Sequence, residues 1–315
     1  MKLIDCTIRD GGHTNNWDFP ELKVQASYNA ACMAKTDYFE MGYRQPASMT
    51  GLGKFAYCED SYITDLIEVG YAKPIVMIDA SKARLDDFNY ADKSPFWGVR
   101  IAAYPNELKL ALVQAEILLA MGYHVWVNPM ASLYLTRDHL AMLDQWRCKD
   151  KIEALYLADS FGSFLPDQIA SFINGFKKLG YANIGFHAHN NLQLAVANTL
   201  EAIKAKATYV DATIYGMGRG AGNAPIEIIT TLFSGHYDNT AYLDVVARFY
   251  KNSPTWGALP EYVLSGIAGV HPYYARTALK YLPFKSAQQL LMTSELPISY
   301  NETILRNAMY KEYGV

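Results

Sequence analysis

Two histidines separated by a single residue, His187 and His189, form the pattern in this sequence with the clearest chemical use. They lie in a short apolar run that predicts a strand over residues 184–189. Side chains at positions i and i+2 of a strand point to the same face, so both imidazoles would project together. Paired neutral imidazoles suit a divalent metal, although two histidines in a buried strand can also be satisfied by hydrogen bonds in the core.

Asp10 could supply the anionic ligand that the two histidines lack. It follows Arg9 and precedes Gly11 and Gly12, and we interpret the glycines as a tight turn that presents both side chains beyond a first strand. The alternative is an Arg9–Asp10 ion pair at the surface. Because a carboxylate and two imidazoles would meet, we predict a metal site at which the planar fork of Arg9 binds a carboxylate or enolate oxygen.

A glycine-rich run, GMGRGAGN over residues 216–223, is similar to phosphate-binding loops but lacks the Lys-Ser/Thr of a P-loop. It would serve equally as a flexible connection, a lid or a helix start capped by Asn223. The amide oxygen of Asn223 is also a candidate metal ligand.

Alternating strands and helices must bring these residues together. The sequence predicts strands at 3–8, 38–42, 74–78, 98–103, 124–128, 154–157, 184–189 and 209–214, with helices such as 107–121, 167–179 and 192–205 between them. Eight repeats in about 235 residues favour an α/β fold of the closed (β/α)8 TIM-barrel type. An open Rossmann sheet would need GxGxxG after the first strand, where this chain has IRDGGH.

The alternation stops near residue 238. We therefore predict a TIM-barrel catalytic domain over residues 1–237 and a helical C-terminal extension over 238–315 that packs on the barrel. Helical spacing in the extension is found at 242–250, 262–267 and 273–282.

The composition excludes several classes of protein. A net charge of −3 in 315 residues gives no basic surface for nucleic acid or an anionic membrane. No apolar run is long enough to span a bilayer and the N-terminus lacks a signal peptide's pattern, so we expect a cytoplasmic protein. The four cysteines form no CxxC pair, and neither disulfides nor a zinc–thiolate site is expected.

Three segments together resemble the family of metal-dependent aldolases and acyl-CoA lyases. This family includes 4-hydroxy-2-oxovalerate aldolase, 3-hydroxy-3-methylglutaryl-CoA lyase and the isopropylmalate and homocitrate synthases. The segments are DCTIRDGGH (5–13), GFHAHNNLQLAVANTLEAIKA (185–205) and VDATIYGMGRGAGNAPIE (210–227), with FEMG (39–42) and ADSFG (158–162) as further matches. They span residues 5 to 227 in the family's order, and the family's fold is also a (β/α)8 barrel.

The resemblance implies roles for individual residues. Asp10, His187 and His189 would bind a divalent metal, with Mn²⁺ or Mg²⁺ expected first and Zn²⁺ or Co²⁺ as alternatives, and Asn223 would be a fourth ligand in some members. Arg9 would stabilise the enolate oxygen. We assign Arg9, Ser160 and Glu40 to substrate binding, although Ser160 could equally cap a turn in DSFG.

His13 distinguishes the subfamilies. The acyl-CoA lyases and synthases usually carry Gln at this position, whereas the oxovalerate-type aldolases carry His, as this chain does. We predict a carbon–carbon lyase acting on a 4-hydroxy-2-oxo acid, with His13 as the base for the C4 hydroxyl and with pyruvate enolate and an aldehyde as products. Its partners would be the small oxo acid and aldehyde, and a homo-oligomer is compatible with the sequence. The alternatives are a Claisen-type acyl-CoA lyase or acyltransferase on the same metal site, and a non-catalytic barrel subunit.

The C-terminal part departs from the family's pattern. The aldolases use a tyrosine near a GYAGVYSS-like motif, whereas SGIAGVHPYY (265–274) places Ile267 or His271 there, with Tyr273 and Tyr274 close by. The acid that protonates the enolate is therefore not assigned by the resemblance.

Overall fold

Eight parallel strands close into a barrel in the computed structural model, which describes residues 1–253, 256 and 259–314. The strands are β1 (Lys2–Asp5), β2 (Tyr38–Tyr43), β3 (Lys73–Asp79), β4 (Gly98–Ala103), β5 (His124–Pro129), β6 (Ala154–Asp159), β7 (Ile184–Ala188) and β8 (Tyr209–Ala212). Each strand pairs with the next along the chain, and β8 returns to β1 with Val210 beside Leu3. The predicted TIM-barrel fold is confirmed.

Helices surround the barrel and continue beyond it. They are α1 (Thr7–Gly11), α2 (Glu21–Met33), α3 (Asp60–Leu66), α4 (Leu108–Ala120), α5 (Arg137–Gln145), α6 (Pro166–Lys178), α7 (Ala195–Lys204), α8 (Ile226–Leu232), α9 (Thr240–Val245), α10 (Pro260–Ala268), α11 (Pro272–Tyr281), α12 (Phe284–Thr293) and α13 (Glu302–Tyr313). A π-helical turn, Val246–Tyr250, continues α9. Among the described helices, none is long and apolar enough to cross a membrane.

Short 3-10 turns complete the connections. They cover Gly12–Thr14, Lys54–Ala56, Leu85–Asp87, Ala91–Lys93, Pro105–Glu107, Ser132–Tyr134 and Ile214–Gly216. The fully described segment between β3 and β4 contains only two of these turns and no α-helix, so this repeat departs from the ideal alternation. Gly122 and Gly180 follow α4 and α6 with φ of 90° and 87°, as expected for glycines that end helices in the left-handed conformation.

Aromatic side chains fill the lower part of the barrel. Tyr38, Trp126, Tyr156 and Tyr209 form an interior cluster with Ile4, Cys6, Ile75 and Ala154. Cys6 lies one residue beyond β1 and is fully buried, and all four cysteines are free. Because this packing fills the barrel's lower interior, the open polar cavity lies at the carboxyl ends of the strands.

The helices beyond residue 237 pack in two groups. The helix α9 belongs to the main core, where the hydroxyl of Tyr242 lies 2.9 Å from that of Thr36. The π-helical turn does as well, because the hydroxyl of Tyr250 lies 2.9 Å from that of Ser27.

The helices α10–α13 bury a second apolar core of their own, and α12 and α13 were not predicted from the sequence. This core includes Leu264, Val270, Tyr274, Ala275, Ala278, Leu282, Ala287, Leu290, Leu291, Leu305 and Met309. It is tied to the barrel by hydrogen bonds from Asn191 to Ser265, at 2.9 Å, and from Tyr134 to the carbonyl of Gly269, at 2.8 Å.

Candidate active site

The strand β1 is shorter than the sequence predicts, and its early end shapes the mouth of the site. It ends at Asp5 rather than Ile8. The Oδ1 atom of Asp5 accepts a hydrogen bond from the backbone N–H of Thr7 at 2.9 Å and another from the Thr7 hydroxyl, so the chain turns into α1. Arg9 and Asp10 therefore project from a short buried helix at the carboxyl end of the barrel.

Gly11 and Gly12 permit close packing rather than a tight turn, which corrects our interpretation of the sequence. Both are in the right-handed helical region, with φ of −61° and −58°. A Cβ atom on Gly12 would lie 2.0 Å from the indole of Trp17, and one on Gly11 would lie 2.8 Å from the sulfur of Met217. The two glycines thus let the indole and the glycine-rich loop approach α1.

Asp10, His187 and His189 come together at the mouth of the barrel. Their candidate ligand atoms all lie within 4.8 Å of one another, and all three residues are buried. The Oδ2 atom of Asp10 is 3.2 Å from Nε2 of His187 and 3.9 Å from Nε2 of His189. Both imidazoles therefore turn the same nitrogen toward the carboxylate, as the spacing of the two histidines predicts.

The other nitrogen of each imidazole has a separate partner. Nδ1 of His187 lies 2.8 Å from Oδ2 of Asp211, and Nδ1 of His189 lies 3.3 Å from the carbonyl oxygen of Gly222. When Nδ1–H donates to such an acceptor, the lone pair remains on Nε2, which is the usual arrangement for a histidine that binds a metal.

Two members of this triad, Asp10 and His187, also belong to a closed ring of buried ion pairs. Its members are, in order, Asp10, Arg9, Glu40, Arg100, Asp211 and His187. Arg9 lies 2.8 Å from Asp10 and 2.7 Å from Glu40. Arg100 lies 3.2 Å from Glu40 and 2.7 Å from Asp211. The three carboxylates and two guanidinium groups of the ring together carry one net negative charge, which favours binding of a cation. Burial opposes protonation of His187, but its hydrogen bonds to Asp10 and Asp211 raise the pKa of its imidazole above the ordinary value.

Two carboxylates of this ring, those of Asp10 and Asp211, remain ionised despite their burial. Burial alone would raise the pKa of Asp10, but Arg9, His189 and His187 hold it well below its ordinary value. Burial likewise opposes ionisation of Asp211, but Arg100 and His187 lower its pKa to about 2. Both groups are therefore anionic at neutral pH, and Asp10 is ready to act as a ligand.

Asn223 offers a fourth donor atom. Its Nδ2 donates to the carbonyl of Ala188 at 3.1 Å, whereas its Oδ1 is buried and has no hydrogen-bond partner among the described residues. A Cβ atom on Gly218 would lie 1.9 Å from this Oδ1 and 3.2 Å from Oδ1 of Asp10, so the two oxygens are neighbours. Two imidazole nitrogens, a carboxylate and an amide oxygen together could hold a divalent metal.

A cavity of about 230 Å³ opens in front of the triad. Its lining consists of Arg9, Asp10, His13, Tyr43, Met77, Asp79, Lys82, Ala102, Tyr104, Asn128, Met130, Ala158, Ser160, His187, His189, Arg219, His271 and Tyr273. Six of the eight predicted site residues line it, and Glu40 and Asn223 lie behind it.

His13 stands at the outer rim of the cavity. The centroid of its ring lies 4.7 Å from that of Trp17 and 5.9 Å from that of Tyr43, both in edge contacts. Desolvation by the surrounding protein lowers the pKa of His13, and the positive charges of Arg219 and Arg9 lower it further. The negative charge of Asp10 opposes this shift. The ring is therefore neutral at physiological pH and able to accept a proton.

Ser160 and Glu40 differ in how they can reach a substrate. Ser160 lines the cavity, and its Oγ atom accepts a hydrogen bond from the backbone N–H of Ala131 at 2.8 Å, so its own proton is available for donation. Glu40 is fully buried beneath Arg9 and paired with both ring arginines. Glu40 therefore contacts the guanidinium of Arg9 rather than the cavity itself.

The C-terminal segment brings His271 and Tyr273 to the cavity in place of the tyrosine that the resemblance implied. Ile267 is 47% exposed and lies outside the cavity lining. Tyr274 is buried in the second core. His271 begins α11, and its position at the cavity follows from the packing of α10–α13, which the strand pattern does not reveal.

Other lining residues were missed as site candidates. Asn128 lies in β5 with its buried Oδ1 unpaired among the described residues, and Tyr104 directly follows β4. Tyr43 ends β2, and Lys82 follows β3. The rule that polar groups collect at strand ends could have found these four. Arg219 required a different signal, because it is the only charged residue of the glycine-rich run.

Comparisons with known proteins identify relatives of this chain. The pattern of the HMGL-like family matches residues 138–242. The chain is 30% identical to a 4-hydroxy-2-oxovalerate aldolase of Salinispora arenicola, over 87% of this chain and 82% of that protein. It is also 30% identical to an oxaloacetate decarboxylase of Mycobacterium tuberculosis, over 72% of this chain and 68% of that protein.

A solved structure is similar over nearly the whole chain. It is the N-terminal domain of a candidate aldolase from Bacteroides vulgatus, with a TM-score of 0.82 and 30% identity, covering 92% of this chain and 99% of that one. The similarity to these relatives, together with the ordered motifs at the mouth of the barrel, shows that the chain belongs to the HMGL-like family and is a lyase.

Proposed function

We propose that this lyase is a divalent-metal-dependent aldolase that cleaves or forms a 4-hydroxy-2-oxo acid, with pyruvate and an aldehyde on the other side of the reaction. The observation that carries the proposal is the convergence of Asp10, His187 and His189 within 4.8 Å, beside a cavity that also holds Arg9 and His13. The relatives named 4-hydroxy-2-oxovalerate aldolase support this class of substrate.

The proposed metal ligands are Nε2 of His187, Nε2 of His189, a carboxylate oxygen of Asp10 and the amide oxygen of Asn223. A bound divalent ion would supply Lewis acidity toward the oxo acid and would fix its orientation. The two oxygen donors favour Mn²⁺ or Mg²⁺, and the two imidazoles leave Zn²⁺ and Co²⁺ as alternatives.

Arg9 would stabilise the charge that develops on the substrate oxygen. Its Nε donates to Glu40 and its Nη1 to Asp10, whereas its buried Nη2 has no partner among the described residues. Because Glu40 and Asp10 hold the guanidinium in place, the remaining donor is preorganised for an oxyanion. Glu40 is thus a positioning residue.

His13 would act as the base. As the neutral imidazole accepts the proton of the C4 hydroxyl, the C4–O bond becomes the aldehyde carbonyl and the C3–C4 bond breaks. The electron pair of that bond moves to the C2 oxygen of the oxo acid, where Arg9 stabilises it. A proton delivered to C3 then yields pyruvate, and His271 and Tyr273 are the candidates for its donor because both line the cavity.

A screen of 4-hydroxy-2-oxo acids in the presence of Mn²⁺, Mg²⁺, Zn²⁺ or Co²⁺ tests the proposal, with pyruvate release as the readout. We expect metal-dependent release that is lost after chelation and does not require coenzyme A. Turnover only with acyl-CoA substrates would favour the Claisen-type alternative instead. Elemental analysis that finds no bound metal after loading would favour a non-catalytic barrel.

Oxaloacetate decarboxylation is a second candidate, favoured by the relative from Mycobacterium tuberculosis that carries this name. Loss of CO₂ from oxaloacetate also gives pyruvate but involves no C4 hydroxyl proton. The His13→Ala variant therefore separates the two reactions. It should lose aldol cleavage, whereas a decarboxylase that works at the same metal site should retain most of its activity.

A further inference from the structure

A second guanidinium group, that of Arg219, faces the same cavity as Arg9. The backbone N–H of Arg219 donates to Oδ1 of Asp10 at 2.8 Å, which fixes the glycine-rich loop against the triad. Its side chain is partly buried, and Nη2 donates to the backbone carbonyl of Ser160 at 2.6 Å. Arg219 therefore lies across the cavity entrance between the loop and the end of β6.

Arg219 differs from the other cations of the site in its lack of an anionic partner. Arg9 and Arg100 each pair with two carboxylates, and Lys82 lies 2.7 Å from Asp79. No carboxylate in the described part of the chain lies within ion-pair distance of the Arg219 guanidinium. A partly buried cation without a counter-charge is a natural binding point for an anionic ligand.

His271 does not supply the missing negative charge. Its Nε2 lies 3.3 Å from Nη1 of Arg219, and burial, Arg219 and His13 together lower the pKa of His271 to about 3. The imidazole is therefore neutral at physiological pH. It limits the positions open to the guanidinium but leaves the positive charge of Arg219 uncompensated.

The hydroxyl of Ser160 provides a second donor beside the guanidinium. Its oxygen already accepts a hydrogen bond from the N–H of Ala131, so its proton can be donated to a ligand. The carbonyl of the same serine holds Nη2 of Arg219. One hydroxyl donor and one guanidinium at adjacent positions match the two oxygens of a carboxylate, and charge-assisted hydrogen bonds of this kind are stronger than neutral ones.

We propose that Arg219 binds the carboxylate of the oxo-acid substrate, beside Ser160, to which the resemblance already assigns a part in substrate binding. This rests on the proposed function for the identity of the substrate. Arg9 and Arg219 then have separate tasks at one cavity. Arg9, whose charge is balanced by two carboxylates, donates to the oxygen that becomes the enolate, and Arg219 recognises the negative charge that the substrate already carries.

Calorimetric titration of the metal-loaded protein with pyruvate and with pyruvamide, its neutral analogue, tests the proposal without turnover. We expect Arg219→Gln to weaken pyruvate binding by about 10- to 100-fold, the usual effect of losing one hydrogen bond to a charged group, and to leave pyruvamide binding unchanged. Arg219→Lys keeps the charge but loses the planar fork, so it should weaken pyruvate binding less than Arg219→Gln does.

Arg44→Gln is the matched control, because it removes a partly buried guanidinium that already pairs with Asp60 and does not line the cavity. It should leave the preference for pyruvate over pyruvamide intact. If Arg219→Gln weakens both ligands equally, or neither, the proposal is wrong and Arg219 has only a structural role. If Arg219→Gln does not fold, the binding of pyruvate and pyruvamide by Arg219→Lys is compared instead, and a loss confined to pyruvate supports the proposal. If the wild-type protein binds no pyruvate at all, the proposed function itself fails, and this proposal fails with it.

Discussion

At the amino end of the barrel, Nδ1 of His124 lies 2.6 Å from Oε1 of Glu153. At the carboxyl end, Nδ1 of His187 lies 2.8 Å from Oδ2 of Asp211. The two pairs are alike in chemistry but differ in burial. The His124 and Glu153 side chains are 39% and 21% exposed, whereas those of His187 and Asp211 are 5% and 1% exposed. Water can therefore form hydrogen bonds with the remaining polar atoms of the first pair. For the second pair, the remaining polar atoms must find partners in the protein or in a ligand.

The two ends also differ in which of their buried polar atoms lack a hydrogen-bond partner. At the amino end, both oxygens of Glu153 are occupied, one by His124 and the other by the hydroxyl of Tyr209. At the carboxyl end, Nη2 of Arg9, Oδ1 of Asn128 and Oδ1 of Asn223 are buried without partners among the described residues. Native proteins leave few buried polar atoms unpaired, and those that remain deserve a functional explanation. Nε1 of Trp126, in the aromatic lower interior, is also buried without a partner among the described residues, but Trp126 does not line the polar cavity. The carboxyl end is therefore distinguished by unpaired polar atoms at or directly behind a cavity, rather than by a histidine–carboxylate pair as such.

The largest expected effect follows from removing a metal ligand at the carboxyl end. His187→Ala or His189→Ala should abolish metal binding and pyruvate release, because each removes one of the two nitrogen donors. Circular dichroism should show the fold largely retained. Elemental analysis measures the bound metal, and full occupancy in a double variant would contradict the assignment of both histidines.

A smaller but still large effect is expected for His13→Ala. Loss of a positioned base should slow cleavage by roughly 10²–10⁴ in kcat. Exchange of the pyruvate methyl protons with deuterated solvent should decrease less, because it needs no base for a C4 hydroxyl. Normal cleavage by this variant would instead point to His271 or Tyr273 as the base.

The pH profile provides a separate check on His13. A base works only above its pKa, and the environment of His13 lowers its pKa below the ordinary value. Wild-type cleavage should therefore persist as the pH falls through 6 to 7, the range in which an unperturbed imidazole becomes protonated, and should decline only at lower pH. A decline centred near pH 6.5 that disappears in His13→Ala would show that the base titrates as an ordinary histidine.

Arg9→Lys tests whether the unpaired donor at the carboxyl end is functional. An ammonium group cannot pair with Glu40 and Asp10 and also present a third donor in the same plane. We expect kcat to fall by roughly 10²–10³, the usual cost of one preorganised oxyanion donor. Turnover near that of the wild type, with the metal still bound, would show that Arg9 serves only the stability of the ring.

The fold could be predicted from the sequence because its signals are local. Each of the eight strands contains a run of buried apolar residues, and the helices that were located have one apolar face. The end of β1 was missed because it depends on how the carboxylate of Asp5 bonds to Thr7. The packing of α9 and the π-helical turn on the barrel is not visible in the sequence, because the contacts of Tyr242 and Tyr250 with distant hydroxyls leave no periodic pattern.

The triad could be predicted for the same local reason, since i,i+2 spacing sets the direction of both imidazoles. The buried ring could not be predicted, because Arg100 meets Glu40 and Asp211 only after the barrel closes. Arg100 and Asp211 are recognisable in the sequence as polar residues inside strands. However, Arg100 lies 60 residues from Glu40 and 111 residues from Asp211 along the chain. Long-range ion pairs of this kind need the structure.

The smallest expected effect lies at the amino end, where His124→Ala provides the counterpart to His187→Ala. The variant removes a partly exposed ion pair with Glu153 and a ring that stacks on Trp97, with centroids 4.2 Å apart. Exposed pairs and aromatic contacts each contribute modestly, so we expect a loss of about 1 kcal/mol in the free energy of unfolding, measured by urea denaturation. Bound metal, kcat and KM should be unchanged because none of these atoms reaches the cavity. A loss of metal or of kcat in His124→Ala would show that the two ends are coupled through the aromatic interior, and the comparison between them would no longer hold.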